Sequence, residues 1–120
     1  MTDKTAENQK KVVDTRTAVA LKHPFLASHL YQLSSVEYDP KASTAYTDGS
    51  KIGLGDWACS LPLESRMYIL AHEVVHDLLR HIPRREMYRK RQLGPDMTAF
   101  DNKRFDKAAD YVVNAVVDEL

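Results

Sequence analysis

The sequence predicts an α+β protein in which a small antiparallel sheet packs beside helices. Helices are indicated by residues 63–82, which contain no glycine or proline, and by residues 105–120, whose apolar side chains recur at spacings of three and four. The sheet is indicated by short alternating stretches on both sides of the turn signal Asp48-Gly49. At 120 residues, the chain is expected to form one domain.

Two helices are predicted before the sheet. Residues 1–8 are polar and are expected to be a flexible N-terminus, so that the folded domain comprises residues 9–120. A first helix is predicted over residues 9–21 and is ended by Pro24. A second, short amphipathic helix is predicted over residues 25–33.

The predicted sheet begins with an alternating stretch at residues 34–39. Residues 43–47 and 51–55 then flank the turn signal and are expected to pair as the two arms of a hairpin. The turn and its return arm contain three glycines, which favour a backbone that another group approaches closely. These glycines are Gly49, Gly53 and Gly55.

The segment 63–82 is expected to be one mostly buried helix, closed by Pro83. It contains the sequence His72-Glu73-Val74-Val75-His76. Residues four apart lie on the same face of a helix, so His72 and His76 can direct two imidazoles at one Zn²⁺. Glu73 can then reach a water in the open position of the metal and act as a general base. The alternative is that these side chains pair with each other in a core without metal.

A catalytic zinc needs a third protein ligand. His81 follows His72 by nine residues, which places it on the opposite side of a continuous helix. Asp110 lies among alanines and valines in the last helix, and a buried carboxylate there would require a partner. We therefore predict Asp110 as the third ligand, with Asp106 as the competing candidate and a salt bridge to an arginine of residues 84–91 as the alternative.

Composition excludes several classes of protein. Seventeen basic and seventeen acidic residues cancel, so no overall field attracts nucleic acid or an anionic membrane. The single cysteine, Cys59, precludes an internal disulfide, and no signal-peptide core or membrane span is evident. The expected location is the cytoplasm. The apolar stripe of the last helix runs to Leu120, which indicates a longer parent chain or a partner covering that end.

Four segments appear in an order that resembles a known family. They are Pro24-Phe25-Leu26; Thr44-Ala45-Tyr46-Thr47-Asp48-Gly49; Leu70 to His81, followed by Arg84-Arg85; and Ala108-Ala109-Asp110-Tyr111-Val112-Val113-Asn114. This combination resembles the metallopeptidase domain that precedes von Willebrand factor A-like domains in bacterial and phage proteins. The resemblance covers about residues 20–120. It implies a zincin-like fold, zinc bound by His72, His76 and Asp110, and Glu73 as base.

The resemblance implies a peptide or protein substrate, and a downstream A-like domain or another protein as partner. Within a zincin-like fold, residues 43–47 would form an edge strand to which an extended peptide adds. Two other functions stay open. The domain can be a catalytically silent metal-binding interaction module, or a DNA-associated zinc protease that uses the basic run at residues 84–91.

Overall fold

The structure, a computed structural model, describes residues 3–32, 35–48, 50–79, 81–91 and 102–118. Within these ranges the chain is α+β and mostly helical. Its elements, in chain order, are α1 (Asp3–Lys22), α2 (Pro24–Gln32), β1 (Ser35–Tyr38), β2 (Ala45–Thr47), β3 (Lys51–Leu54), α3 (Asp56–Cys59), α4 (Leu63–Leu78), α5 (His81–Arg91) and α6 (Asn102–Asp118).

The sheet is mixed, and the prediction of a purely antiparallel sheet is wrong. Its strand order is β1-β3-β2. The hairpin of β2 and β3 is antiparallel as predicted, with Tyr46 opposite Gly53. However, β1 lies on the other edge of β3 and runs parallel to it, from Ser35 opposite Lys51 to Tyr38 opposite Leu54. Because β1 and β2 lie on opposite edges of β3, the connection between them, residues 39–44, passes across the end of β3.

Gly55 makes this crossing possible. A β-carbon at Gly55 would clash with the backbone carbonyl oxygen of Ala42, and the Gly55 amide donates a hydrogen bond to the Thr44 carbonyl, 2.8 Å away. The Tyr46 ring similarly occupies the space above Gly53. The predicted close approach is therefore confirmed at Gly53 and Gly55, while Gly49 lies outside the described residues.

Helix α1 begins at Asp3, six residues earlier than the sequence predicts. Its first turns pack beside α3: Asn8 is 5% exposed, and its amide nitrogen donates to the Asp56 carboxylate at 3.3 Å. Further along α1, the Thr15 hydroxyl accepts a hydrogen bond from the buried Arg66 guanidinium at 2.9 Å. These contacts hold α1 against the elements that precede and form α4.

Helix α4 ends at Leu78, so the prediction of one helix over residues 63–82 is wrong. Pro83 explains the break, because a proline has no amide to donate to the residue four positions earlier, and its ring clashes with that residue's carbonyl. The chain turns at Leu79 and starts α5 at His81, which places Pro83 in the first turn of the new helix, where proline is tolerated.

Helix α4 is the centre of the fold and packs against α1, α2, α6 and β2. Its inward face contributes Leu70 and Val74, and α6 contributes Val113. All three side chains are fully buried. The outward-facing part of the α4–α6 contact carries polar residues, which form the site described next. Among the described residues, no helix is long and apolar enough to cross a bilayer.

Candidate metal centre

His72 and His76 lie on α4, one turn apart, and face the same point as their spacing predicts. Their ring centroids are 4.7 Å apart, and the two Nε2 atoms are 3.1 Å apart. The His72 and His76 side chains are 20% and 15% exposed. The two imidazoles therefore form a partly buried pair at the edge of the core.

Asp110 of α6 completes a cluster with these histidines. Its Oδ1 atom lies 2.8 Å from His76 Nε2 and 3.3 Å from His72 Nε2. The Asp110 side chain is 55% exposed, so the condition on which the sequence argument for a partner depended, a buried carboxylate, is not met. The position of Asp110 depends on α6 packing antiparallel to α4, because that packing sets its carboxylate against both rings.

Asp106, the competing candidate, points elsewhere. Its Oδ1 atom lies 3.1 Å from Arg85 Nε, whereas the carboxylate oxygen within 3.3 Å of both imidazoles belongs to Asp110. Asp106 is 56% exposed, nearly the same as Asp110, so exposure does not separate the two carboxylates. Their contacts distinguish the two carboxylates. Asp106 makes a salt bridge to Arg85 of α5, and Asp110 contacts the two imidazoles.

The converging atoms fit a divalent cation. Zinc bonds to nitrogen and oxygen are about 2.0–2.1 Å long, so the ligand atoms of a tetrahedral site lie about 3.3 Å apart. The three separations here are 2.8, 3.1 and 3.3 Å. Nitrogen and carboxylate oxygen are also ligands that zinc accepts in catalytic sites. Over the ranges that the structure describes, this is the group of histidine, cysteine and acidic side chains that meets the spacing for a metal.

Burial favours the unprotonated form of His76. Burial is the largest influence and lowers the pKa of His76 below its ordinary 6.5, although the hydrogen bond to Asp110 opposes this. An uncharged imidazole keeps a lone pair for a metal. The ring is therefore suited to bind a cation at neutral pH.

Glu73 follows His72 directly and lies between the core face and the histidine face of α4. Burial raises the pKa of its carboxyl above 4.5, and the Asp110 charge raises it further, while His72 lowers it. A carboxyl group whose pKa is moved toward neutrality is a better proton acceptor at neutral pH than an ordinary glutamate.

His29 and His23 lie apart from this cluster. The His29 Nε2 atom is 3.0 Å from the Asp77 carboxylate and joins α2 to the end of α4. His23 occupies the break between α1 and α2. The side chain of His81 lies outside the described part of the structure. Its exclusion by sequence assumed an unbroken helix, and that assumption is wrong because α4 ends at Leu78.

Two further polar side chains extend the cluster along the α4–α6 contact. The Asn114 amide oxygen lies 2.9 Å from His72 Nδ1. The Tyr68 hydroxyl lies 3.4 Å from both Asn114 Oδ1 and Asp118 Oδ1. Tyr68 is not among the residues that the sequence predicts for the site, although its position four residues before His72 puts it on the same helical face.

A cavity bordered by residues of α4 and α6 lies on the side of α4 away from Glu73. It has a volume of about 230 Å³ and is bordered by Tyr68, Ala71 and Val117, among others. On α4, Ala71 and Glu73 project about 200° apart, so the helix itself separates the cavity from the Glu73 carboxyl. We assign this cavity no part in the chemistry of the cluster.

Comparison with known proteins identifies the family. The model of a family described as "Putative metallopeptidase domain" matches residues 7–119. No curated protein and no solved structure matches the chain. The match extends over nearly the whole sequence and includes Glu73 and the three residues of the cluster, His72, His76 and Asp110. The chain therefore belongs to this family of metallopeptidase domains.

Proposed function

We propose that the protein is a zinc-dependent peptidase of the zincin type, in which His72, His76 and Asp110 hold the metal and Glu73 is the general base. The observation that carries the proposal is the convergence of His72 Nε2, His76 Nε2 and Asp110 Oδ1 within 3.3 Å of one another, beside a partly buried glutamate. Membership in a metallopeptidase-domain family supports the same reaction class.

Each residue has a separate task in the proposed reaction. When bound, zinc lowers the pKa of a coordinated water to about 7 and polarises the carbonyl of the peptide bond. The His72 and His76 imidazoles bind in their neutral forms, and the Asp110 carboxylate offsets part of the metal's charge. The Glu73 carboxylate accepts the proton of the attacking water and then passes it to the leaving amine.

The proposed substrate is an extended segment of peptide or unfolded protein. β2 is an edge strand, and hydrogen bonds from Gly55 to Thr44 and from Asp48 to Lys51 turn those residues toward β3. Strand alternation then directs the backbone groups of Ala45 away from β3. An extended peptide can pair with this edge through main-chain hydrogen bonds, which select little for side chains.

The basic run of α5 gives less support to a DNA-associated protease. Arg85 contacts Asp106 of α6, and Arg89 Nη2 lies 2.6 Å from the Glu86 carboxylate. Two cations of the run are thus paired within the protein, Arg85 with α6 and Arg89 within α5 itself, as is usual for a basic run on a helix. An interaction module without catalysis is the alternative that the experiment must separate from the peptidase.

The test is hydrolysis of a fluorescently labelled unfolded protein by zinc-loaded wild type and Glu73→Gln. Glutamine keeps the size of the side chain but cannot accept a proton, so we expect hydrolysis to fall about 10²–10⁴-fold with zinc content unchanged. Glu64→Gln is the matched control, since Glu64 is exposed in the first turn of the same helix and should leave the rate unchanged.

Three outcomes would count against the proposal in different ways. Undiminished hydrolysis by Glu73→Gln would refute the role of Glu73. No hydrolysis by zinc-loaded wild type would favour the interaction module. A rate that falls equally in Glu64→Gln would show that the assay reports folding and not the base.

A further inference from the structure

The polar residues of the α4–α6 contact pair in register along the two antiparallel helices. On α4, Tyr68 and His72 lie one turn apart. On α6, Asp118, Asn114 and Asp110 recur at the same spacing and face them. Asn114 is half-buried in the middle of this arrangement and contacts His72 on the side of the ring away from the metal-binding atoms.

The contact between Asn114 and His72 specifies where the proton of the imidazole resides. An amide oxygen only accepts hydrogen bonds, so the His72 Nδ1 atom, 2.9 Å from Asn114 Oδ1, must donate. A neutral imidazole carries one N–H, and a proton on Nδ1 leaves the lone pair on Nε2. That lone pair points toward His76 Nε2 and Asp110 Oδ1, where the metal is proposed to bind.

We propose that Asn114 is a positioning residue, which holds His72 in the Nδ1–H tautomer and fixes the ring so that Nε2 faces the metal. The inference rests on the proposed metal centre. It adds a residue that acts through His72 and does not itself touch metal or substrate. Partners of this kind typically contribute 10–100-fold to metal affinity, because they fix both the tautomer and the orientation of the ligand.

The neighbours of Asn114 make weaker contacts and supply the controls. The Tyr68 hydroxyl is 3.4 Å from Asn114 Oδ1, at the limit of a hydrogen bond. Among the described residues, the hydrogen bonds of Tyr68 go to Asn114 and Asp118 and not to His72. Tyr68→Phe and Asp118→Asn should therefore leave the tautomer of His72 and the zinc affinity within about twofold of wild type.

The first experiment needs no metal. A long-range ¹H–¹⁵N spectrum of the ¹⁵N-labelled, chelator-treated protein at about pH 8.5, where an ordinary histidine is neutral, reports which ring nitrogen bears the proton. We expect the Nδ1–H form for His72 in the wild type and in Asn114→Asp, whose carboxylate also accepts. In Asn114→Leu, which has a similar size and no acceptor, the Nε2–H form should be populated.

The second experiment measures zinc affinity by competition with a chromophoric chelator. Asn114→Leu should bind zinc 10–100-fold more weakly, whereas Asn114→Asp should restore at least wild-type affinity. An Nε2–H tautomer of His72 in the wild type would overturn the proposal, even if Asn114→Leu fails to fold. So would equal zinc affinity in folded Asn114→Leu and wild type. A wild type with the Nδ1–H tautomer that binds no zinc would refute the proposed function instead.

Discussion

Replacing Glu73 by glutamine should make the metal-free protein more stable while it removes the proposed base. Burial raises the pKa of Glu73 in the folded state above its ordinary 4.5, and Asp110 adds to this effect. At pH values between the ordinary pKa of the unfolded chain and the raised pKa of the folded state, the folded protein binds more protons than the unfolded chain. The contribution of Glu73 is therefore most favourable below about pH 4.5, and is lost as pH rises through the folded-state pKa.

The size of the effect follows from the partial burial of the carboxyl group. Burial disfavours the ionised carboxylate that is present at neutral pH, and the attraction of His72 offsets part of that cost. We expect Glu73→Gln to raise the free energy of unfolding by about 1 kcal/mol at pH 7.5, which is about 4 °C in Tm for a domain of this size. Glutamine has nearly the same volume, so packing should contribute little.

The assay is thermal unfolding of the chelator-treated proteins from pH 5 to pH 8. The stability gained by Glu73→Gln should grow with pH and level off above the folded-state pKa of Glu73. His76 also titrates in this range, with the opposite sign: its lowered pKa means that stability is lost as pH falls below about 6.5. Because His76 is present in both proteins, its effect largely cancels in the difference.

Glu64→Gln again serves as control, because Glu64 is exposed on the same helix and its replacement should give no gain. A Glu73→Gln protein that is no more stable than wild type at pH 7.5 would refute the reasoning. A gain that is the same at pH 5 and pH 8 would do so as well, because the benefit would then have no connection with ionisation.

Three other predictions concern the cluster and its support. Asp110→Ala should weaken zinc binding at least 100-fold in a chelator competition. Asp106→Ala should change the zinc affinity less than fivefold, since Asp106 contacts Arg85. A larger loss of affinity in Asp106→Ala than in Asp110→Ala would exchange their roles. His29→Leu should lower the free energy of unfolding in urea by roughly 2 kcal/mol, because it leaves the nearly buried Asp77 carboxylate without this partner. A decrease of less than about 0.5 kcal/mol would show that the pair contributes little to stability. Val113→Ala should cost about 2 kcal/mol by opening a void between α4 and α6, and an unchanged urea midpoint would mean that this contact is looser than described.

The geometry of His72, Glu73 and His76 was predictable because it is local. A spacing of four residues fixes the relative positions of two side chains as soon as the segment is helical, whatever the rest of the chain does. The same spacing places Tyr68, four residues before His72, on this face, so its position could also have been predicted. For His81 the prediction assumed a continuous helix, but α4 ends at Leu78, five residues before Pro83.

The contact of Asp110 with the imidazoles was expected for a reason that the structure does not support. Burial was the argument, yet Asp110 and Asp106 are equally exposed. What separates them is the register of α6 against α4, with Val113 in the core. Register between helices that lie more than twenty residues apart depends on side-chain packing, which periodicity does not specify.

The sheet order was not predictable for a similar reason. The hairpin of β2 and β3 follows from a local turn signal, and it forms as predicted. The edge on which β1 docks depends on how residues 39–44 cross the end of β3. The sequence feature that this crossing requires is Gly55, because the Ala42 carbonyl leaves no room for a side chain there. A single glycine indicates close approach without naming the segment that approaches.

The central claim is that His72, His76 and Asp110 form one metal centre, and zinc stoichiometry tests it most directly. Protein purified without chelator should contain about one zinc per chain by elemental analysis, with most of it lost in both His72→Ala and His76→Ala. His23→Ala, outside the cluster, should keep the wild-type content. A folded wild type without zinc that takes up none on titration, or single histidine variants that keep the full amount, would contradict the claim.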